Sequence, residues 1–173
     1  QSDNHKWKQL APQLEQQLRY IRSAARNRAR NCLRGLYQEK SITDKRFKQV
    51  DIIPLVEKRR TTEPFKVLRA GESIEGRPIY LVQIGAGKTK VLLWSQMHGD
   101  ESTATMALMD MFNFFEANDA MNELREKLVN ELSIYIIPML NPDGAERFQR
   151  QNAIGIDLNR DALRLQTPEA NIL

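Results

Sequence analysis

Residues 91–97 read Val-Leu-Leu-Trp-Ser-Gln-Met, and the next four residues read His98-Gly-Asp-Glu101. The first stretch is mostly apolar, and a strand that is covered on both faces reads as such a continuous hydrophobic run. We therefore predict a central strand over residues 90–97. Its end delivers an imidazole and a carboxylate close together, and Gly99 permits the tight bend between them.

His98 and Glu101 are candidate ligands of a zinc ion. Zinc accepts imidazole nitrogen and carboxylate oxygen, and a catalytic zinc site usually has three protein ligands and a water molecule. The sequence contains one other histidine, His5, and one cysteine, Cys32. Unless His5 folds back, we expect the third ligand to belong to sequence outside this chain. A His and a Glu at this spacing also occur as a surface pair, so their position after a buried strand favours the metal interpretation.

The sequence from residue 65 onward predicts an α/β domain. Apolar runs bounded by Gly71 and Gly76 indicate a hairpin, and alternating helical and strand patterns follow. The predicted elements are strands at 65–70, 77–84, 90–97 and 132–139, and helices at 102–118 and 121–129. This order predicts a mixed sheet with right-handed crossovers. Ligands bind beyond the carboxyl ends of strands in such sheets, so we expect His98 and Asn141 at the same edge.

Charge is distributed unevenly along the chain. Residues 1–60 hold 15 Lys and Arg against 6 Asp and Glu, whereas residues 61–173 hold 11 against 16. This asymmetry predicts two parts, a basic helical extension over residues 1–60 and a mildly acidic domain over residues 61–173. The spacing of Leu14, Leu18 and Ile21 predicts a helix over residues 12–34. A solvated helix face is favoured over a nucleic-acid-binding arm, because no aromatic or glycine pattern accompanies its arginines.

A second helix is predicted over residues 44–60, with an inward face of Phe47, Val50, Ile53 and Leu55. Pro54 lies inside this stretch, so the sequence does not fix where the helix ends. The overall composition, 41% hydrophobic and 28% charged residues, suits a soluble globular protein. No apolar stretch approaches the ~20 residues that a membrane helix needs, so we expect no membrane span. With a single cysteine, the chain forms no internal disulfide.

Four polar residues near the end of the chain are further candidates. Asp157 could accept a hydrogen bond from a ligating imidazole, or it could cap a turn. Arg160, with Asn159 beside it, could bind a carboxylate bidentately, or it could form a surface salt bridge. Arg150 could stabilise a developing oxyanion. Arg147 is an alternative for that role, and spacing alone does not separate the two arginines.

Four motifs in one order give this sequence a resemblance to a known family. They are His98-Gly-Asp-Glu101, Asn141-Pro-Asp-Gly144, Arg150-Gln-Asn-Ala153 and Gly155-Ile-Asp-Leu-Asn-Arg160. The sequence resembles the M14 metallopeptidases, the zinc carboxypeptidases of the carboxypeptidase A type, over residues 64–173. The resemblance implies an α/β/α sandwich around a mixed eight-stranded sheet, and a chain that carries the amino-terminal portion of that fold.

The resemblance also implies a role for each site residue. His98 and Glu101 correspond to zinc ligands, and Asp157 corresponds to the carboxylate behind the zinc histidine. Arg150 corresponds to the arginine that polarises the scissile carbonyl. The pair that grips the terminal carboxylate of a peptide substrate is Asn159 and Arg160.

The family pattern continues beyond what this sequence contains. The third zinc ligand, a histidine, and the general base, a glutamate, come later in the family, as does a tyrosine that closes over the substrate. Asp161 stands where many members carry Asn, and Thr167-Pro-Glu169 resembles the segment that leads toward the missing histidine. We therefore expect a C-terminally incomplete chain that is itself inactive.

We expect a zinc-dependent metallocarboxypeptidase acting on the C-termini of peptides or proteins. One alternative is a non-catalytic remnant that binds carboxylates; another is an amidase or deacylase of the same zinc superfamily. Since members are often exported, we expect an extracytoplasmic or secreted location. A partial sheet leaves an unpaired edge and apolar faces, so the isolated chain is expected to self-associate.

Overall fold

The computed structural model describes residues 35–173, and the chain divides into two units, Gln1–Gln38 and Glu39–Leu173. The helix predicted over residues 12–34 lies outside the described residues, as do His5 and Cys32. The second unit contains every element described below.

The second unit contains both helices and strands. In chain order they are α1 (Gln49–Glu57), a 3₁₀ helix (Lys58–Thr61), β1 (Phe65–Glu72), β2 (Pro78–Ile84), β3 (Thr89–Trp94), α2 (Thr103–Glu116), α3 (Asn122–Glu131), β4 (Leu132–Ile137), α4 (Pro142–Arg147), α5 (Leu158–Asp161) and a second 3₁₀ helix (Ala170–Ile172). Among residues 35–173, no helix is both long enough and apolar enough to span a bilayer.

The strands form one mixed sheet in the order β1-β2-β4-β3. β1 and β2 are an antiparallel hairpin, and β2 also pairs antiparallel with β4. β3 and β4 are parallel, with Val91 opposite Ile134 and Trp94 opposite Ile137. Helices α2 and α3 make the crossover that a parallel pair requires. The predicted α/β fold with a mixed sheet is confirmed.

One face of the sheet carries the hydrophobic core. Alternate residues of β2 and β4, including Val82 and Ile136, contact apolar side chains of α1 and α2. Phe112 of α2 is completely buried there. The helices therefore form the layer that removes this face of the sheet from water.

The prediction of a central strand covered on both faces is wrong for the part of the chain that is described. β3 lies at the edge of the sheet, and Leu92 and Trp94 are 43% and 47% exposed. Side chains alternate along a strand, so Val91 and Leu93 pack against the helical core while their neighbours face the opposite side. The apolar run correctly predicts a strand, but it does not show how many faces of the strand are covered.

The inward face of α1 also differs from its prediction. Phe47 is buried as expected, and Ile53 and Leu55 are half-buried. Val50, however, is 67% exposed, and the fully buried residues of the helix include Ile52 and Val56, which were not predicted. The helix begins at Gln49 rather than near residue 44. The buried residues Ile52 and Val56 are four positions apart, which is about one turn, so they lie on the same face of the helix.

Arg59 is an unusual component of this core, because its side chain is completely buried. The guanidinium carbon lies 5.7 Å from the ring centroid of Phe65 and 5.2 Å from that of Phe112. Its nitrogens donate to the side chain of Asn113 (2.6 Å) and pair with Glu116 (3.1 Å). The cation therefore fills space between two aromatic rings as well as joining the 3₁₀ helix to α2.

We predict that Arg59→Ala lowers the free energy of unfolding by roughly 3 kcal/mol, because truncating a large packed side chain leaves a cavity. The adjacent Arg60 is the matched control, since its partly exposed guanidinium pairs with Glu57 on the surface. Arg60→Ala should cost under about 1 kcal/mol. Chemical denaturation of both variants measures the difference, and equal losses would contradict the assigned role of Arg59.

Candidate functional site

The chain segments that follow β3 and β4 meet beyond the carboxyl ends of the two strands. The amide of Leu140 donates to the carbonyl of Ser95, and the amide of Asn141 donates to that of Gln96, each at 3.0 Å. Backbone pairing therefore continues past the regular strands. This confirms that His98 and Asn141 come to the same edge of the sheet.

Glycine makes the close approach of these segments possible. A Cβ atom on Gly99 would lie 2.0 Å from the carbonyl carbon of Gly144, a distance at which two carbon atoms cannot coexist. Gln96, in the left-handed region at φ 48°, donates to the carbonyl of Gly99 at 3.0 Å. Thr105 of α2 donates to the Gln96 side chain at 2.8 Å. The loop that carries His98 is thus held from two sides.

His98 lies between two carboxylates. Its Nε2 is 3.1 Å from Asp157 Oδ1, and its Nδ1 is 3.1 Å from Glu101 Oε1. If Nε2 carries the ring proton and donates to Asp157, Nδ1 presents a lone pair toward the Glu101 oxygen. Two acceptors at this distance repel each other unless a proton or a metal ion interacts with both. Imidazole nitrogen and carboxylate oxygen are ligands that zinc accepts, so the donor set fits that ion.

Asp157 both contacts the imidazole of His98 and caps a helix. Besides accepting from His98, its Oδ1 accepts from the amide of Asn159 at 3.0 Å and caps α5. Its Oδ2 accepts from Arg150 Nε at 3.0 Å. Burial raises the pKa of the Asp157 carboxyl, but the hydrogen bonds from Arg150, Asn159 and His98 outweigh burial and lower it below its ordinary value. Asp157 is therefore held as an anion behind the imidazole.

The two candidate arginines have different surroundings. Arg150 pairs with Asp157, and its Nη1 lies 3.6 Å from Glu101. Arg147, in contrast, pairs with Glu75 in the turn between β1 and β2. The structure therefore brings Arg150, and not Arg147, into contact with the residues around His98.

Asn159 and Arg160 lie at the start of α5, directly after Asp157. Both are exposed. Arg160 forms no ion pair with any residue from 35 to 173, so a surface salt bridge is not found within that range. Arg160 comes three residues after Asp157 in the sequence, and its side chain is exposed to solvent.

The short helix α5 is supported from its other end by Asp161. This buried carboxylate accepts hydrogen bonds from the amides of Gln166 (3.0 Å) and Thr167 (2.9 Å) and from the Thr167 hydroxyl (2.8 Å). Burial raises the pKa of the Asp161 carboxyl, but these hydrogen bonds outweigh burial and place it below its ordinary value of 3.8. Asp161 therefore stabilises the turn that follows Arg160.

The two proposed zinc ligands have no third partner in the part of the chain that the structure covers. No group of three or more His, Cys, Asp and Glu side chains among residues 35–173 is arranged to hold a metal ion. Of the residues that brace the site, Gln96 and Thr105 were not predicted from the sequence. Their contribution depends on contacts between a loop and a helix, and no local pattern signals such contacts.

We predict that Asp161→Asn lowers the melting temperature at neutral pH, because an amide cannot accept all three hydrogen bonds. Since the folded-state pKa of Asp161 lies below 3.8, its stabilisation is complete above that pH and is lost as the pH falls toward the folded value. The difference in melting temperature between wild type and variant should therefore be constant from about pH 7 to pH 5 and shrink below about pH 4.

Thermal unfolding followed by circular dichroism between pH 7 and pH 2.5 measures this difference. Asp100→Asn is the matched control, because Asp100 is an exposed carboxylate, and this change should alter the neutral-pH melting temperature little. A difference between wild type and Asp161→Asn that persists unchanged at the lowest pH would contradict the assignment.

Comparisons with known proteins identify the family of this chain. The zinc carboxypeptidase family, Peptidase_M14, matches residues 55–164. Carboxypeptidase E of Caenorhabditis elegans is 37% identical over 112 residues, which cover 53% of this chain and 24% of that protein. Carboxypeptidase SOL1 of Arabidopsis thaliana is 28% identical over 109 residues, covering 60% of this chain and 22% of that protein. The chain thus spans about a quarter of the length of these curated relatives.

The fold has solved counterparts as well. The crystal structure of a metallo-carboxypeptidase from Burkholderia cenocepacia superposes with a TM-score of 0.67 at 24% identity, covering 73% of this chain and 36% of that one. At this identity the superposition supports the fold alone. The family match, however, extends over more than half of the sequence. This chain belongs to the zinc carboxypeptidase family.

Proposed function

We propose that His98 and Glu101 contribute to a zinc site that hydrolyses the C-terminal peptide bond of peptides or proteins. The observation that carries the proposal is the orientation of the His98 ring. Asp157 occupies Nε2, so Nδ1 is left facing the Glu101 carboxylate at 3.1 Å. A carboxylate behind a ligating imidazole fixes the ring and raises its basicity.

His98 and Glu101 would hold the metal through nitrogen and oxygen. A zinc ion bound there would supply Lewis-acid activation of a carbonyl group and of a water molecule. Since a catalytic zinc site usually has three protein ligands, and residues 35–173 supply two of them, we expect zinc to bind weakly to this chain. The proposal therefore concerns which atoms contact the ion and makes no claim to tight binding.

The roles of the remaining residues follow from their charge and exposure. Arg150 is 40% exposed beside Glu101, so part of its guanidinium can donate to a negative charge developing on a carbonyl oxygen. Arg160 and Asn159 offer a guanidinium and an amide to the substrate carboxylate. A site that recognises a free carboxylate next to the reacting bond selects the last residue of a chain.

Two alternatives belong to other classes of function. A non-catalytic carboxylate-binding protein would use Arg160 without zinc, and the ion pairs of Arg150 with Asp157 and Glu101 are compatible with a metal-free site. An amidase or deacylase would use zinc without a carboxylate grip, and the adjacent Asn159 and Arg160 favour the peptidase over it. An extracytoplasmic location is likewise a proposal that rests on the family.

We predict that the protein binds a short peptide with a free C-terminus at least 10-fold more tightly than the same peptide with a C-terminal amide. Arg160→Ala should remove this difference, because a charge-assisted hydrogen bond contributes about 1.5–3 kcal/mol. Arg164→Ala is the matched control, since Arg164 is exposed and lies one turn further along the chain. Fluorescence anisotropy with labelled peptides measures the affinities.

Adding zinc to the same mixtures separates the candidate functions. We expect this chain to release no amino acid, since residues 35–173 would supply only two zinc ligands. Peptide binding that tightens with zinc, and loses this gain in His98→Ala, supports the zinc site of the hydrolase. Binding without release, at the same affinity with and without zinc, supports the carboxylate-binding alternative. Equal binding of the free and amidated peptides would reject both the carboxypeptidase and the carboxylate-binding protein.

We also propose that the isolated chain self-associates through the sheet face that lies opposite the helices. The observation behind this proposal is the edge strand β3, where Leu92 and Trp94 are about half exposed, together with Leu68 of β1 at 40%. An unpaired strand edge beside an exposed apolar surface promotes association between chains.

Trp94→Lys should therefore reduce association, because it places a charge on that face. Leu163→Lys is the matched control, since Leu163 is 97% exposed but lies outside the sheet. Sedimentation velocity across a concentration series gives the distribution of species. A wild-type chain that stays monomeric at about 100 μM, well above typical interface affinities, would refute this proposal.

A further inference from the structure

The side chain of Asn141 connects two segments of the site that are distant in sequence. Its Nδ2 donates to the carbonyl of Met97 at 3.2 Å and to the carbonyl of Arg150 at 3.3 Å. Met97 immediately precedes His98, and Arg150 carries the guanidinium that pairs with Asp157. One amide group therefore spans the backbone of the imidazole loop and the backbone of the arginine loop.

Every polar group of Asn141 has a partner, and the residue is completely buried. The side-chain oxygen accepts from the amide of Gly144 at 2.8 Å, and the backbone amide donates to Gln96. A buried amide with all of its hydrogen bonds made has one preferred orientation, because any rotation leaves a polar atom unpaired. The position of Nδ2 between the two carbonyls is thus fixed.

The packing around Asn141 leaves no space for a side chain on Gly144. A Cβ atom on Gly144 would lie 2.6 Å from Asn141 Nδ2 and 2.7 Å from the carbonyl oxygen of Gln151. Gly144 therefore lets the start of α4 approach the arginine loop. The two loops are held at a separation set by one side-chain amide.

We propose that Asn141 is a positioning residue for the site. Its oxygen caps α4, while its Nδ2 holds the His98 loop and the Arg150 loop at the spacing that allows both to contact Asp157. The inference extends the proposed function, since it rests on His98 as a metal ligand for its effect on zinc. Its structural part, the effect on the His98–Asp157 hydrogen bond, does not depend on that role.

Two substitutions distinguish the role of the Asn141 side-chain oxygen from that of its Nδ2. Asn141→Asp keeps an oxygen for the Gly144 amide and replaces the donor that reaches Met97 and Arg150. Asn141→Ser keeps a capping hydroxyl without adding charge, but it is too short to reach both carbonyls. Aspartate and serine are good helix caps, so the start of α4 should survive in both variants.

Two measurements report on His98, namely ¹⁵N nuclear magnetic resonance of its ring and a zinc titration. Without metal, wild-type protein should show a proton on Nε2 that is shared with Asp157, and both variants should broaden or shift this signal. In a zinc titration, both variants should bind zinc about 10-fold more weakly than wild type, the lower end of the effect of removing an outer-sphere partner.

Ile52→Ala is the control for loss of stability alone, because Ile52 is a residue of α1 whose side chain is buried in the core. It should lower the melting temperature but leave both readouts unchanged. The proposal is overturned if the Asn141 variants retain the wild-type ring signal, or if Ile52→Ala changes the signal as strongly. Zinc binding that survives in His98→Ala would reject the metal site, and the metal-free signal would still decide the role of Asn141.

The wild-type protein provides a further test that needs no variant. The side-chain amide protons of Asn141 should exchange with deuterated water far more slowly than those of Asn159, which is exposed. Equal exchange rates would contradict a fixed amide between the two loops.

Discussion

The hydrogen bond between His98 Nε2 and Asp157 Oδ1 is the interaction on which the rest of the site depends. It joins the loop after β3 to the cap of α5, two parts of the chain that share no strand pairing. By engaging one ring nitrogen, it determines which nitrogen faces Glu101. The same carboxylate also receives Arg150 and the amide of Asn159. A single anion therefore orients the imidazole, a guanidinium and the helix that carries Arg160.

Much of the scaffold around this bond can be predicted from local sequence. The hairpin of β1 and β2 follows from two apolar runs joined by a segment that contains Gly71 and Gly76. An apolar run followed by a helix and another strand predicts the parallel pairing of β3 and β4. Topology alone then places His98 and Asn141 together. These predictions hold because they depend on chain direction and periodicity, which each segment carries within itself.

The details of the site depend instead on contacts between distant residues. Spacing could not separate Arg147 from Arg150, because the choice is made by Glu75, which lies in the turn between β1 and β2. The order of strands and helices predicts that Asn141 lies at the same sheet edge as His98, but not what its side chain contacts. The contacts of its side chain with Met97 and Arg150 become visible only when the loops are assembled. Likewise, the sequence of β3 does not reveal that Trp94 is half exposed.

The direct test of the central claim is a crystal of this protein soaked in zinc and measured at the zinc absorption edge. We predict an anomalous peak about 2.1 Å from His98 Nδ1 and at a similar distance from a carboxylate oxygen of Glu101, with Nε2 still bonded to Asp157. A peak on Nε2, or a His98 ring turned away from Asp157, would contradict the proposed orientation of the imidazole and the zinc chemistry that depends on it.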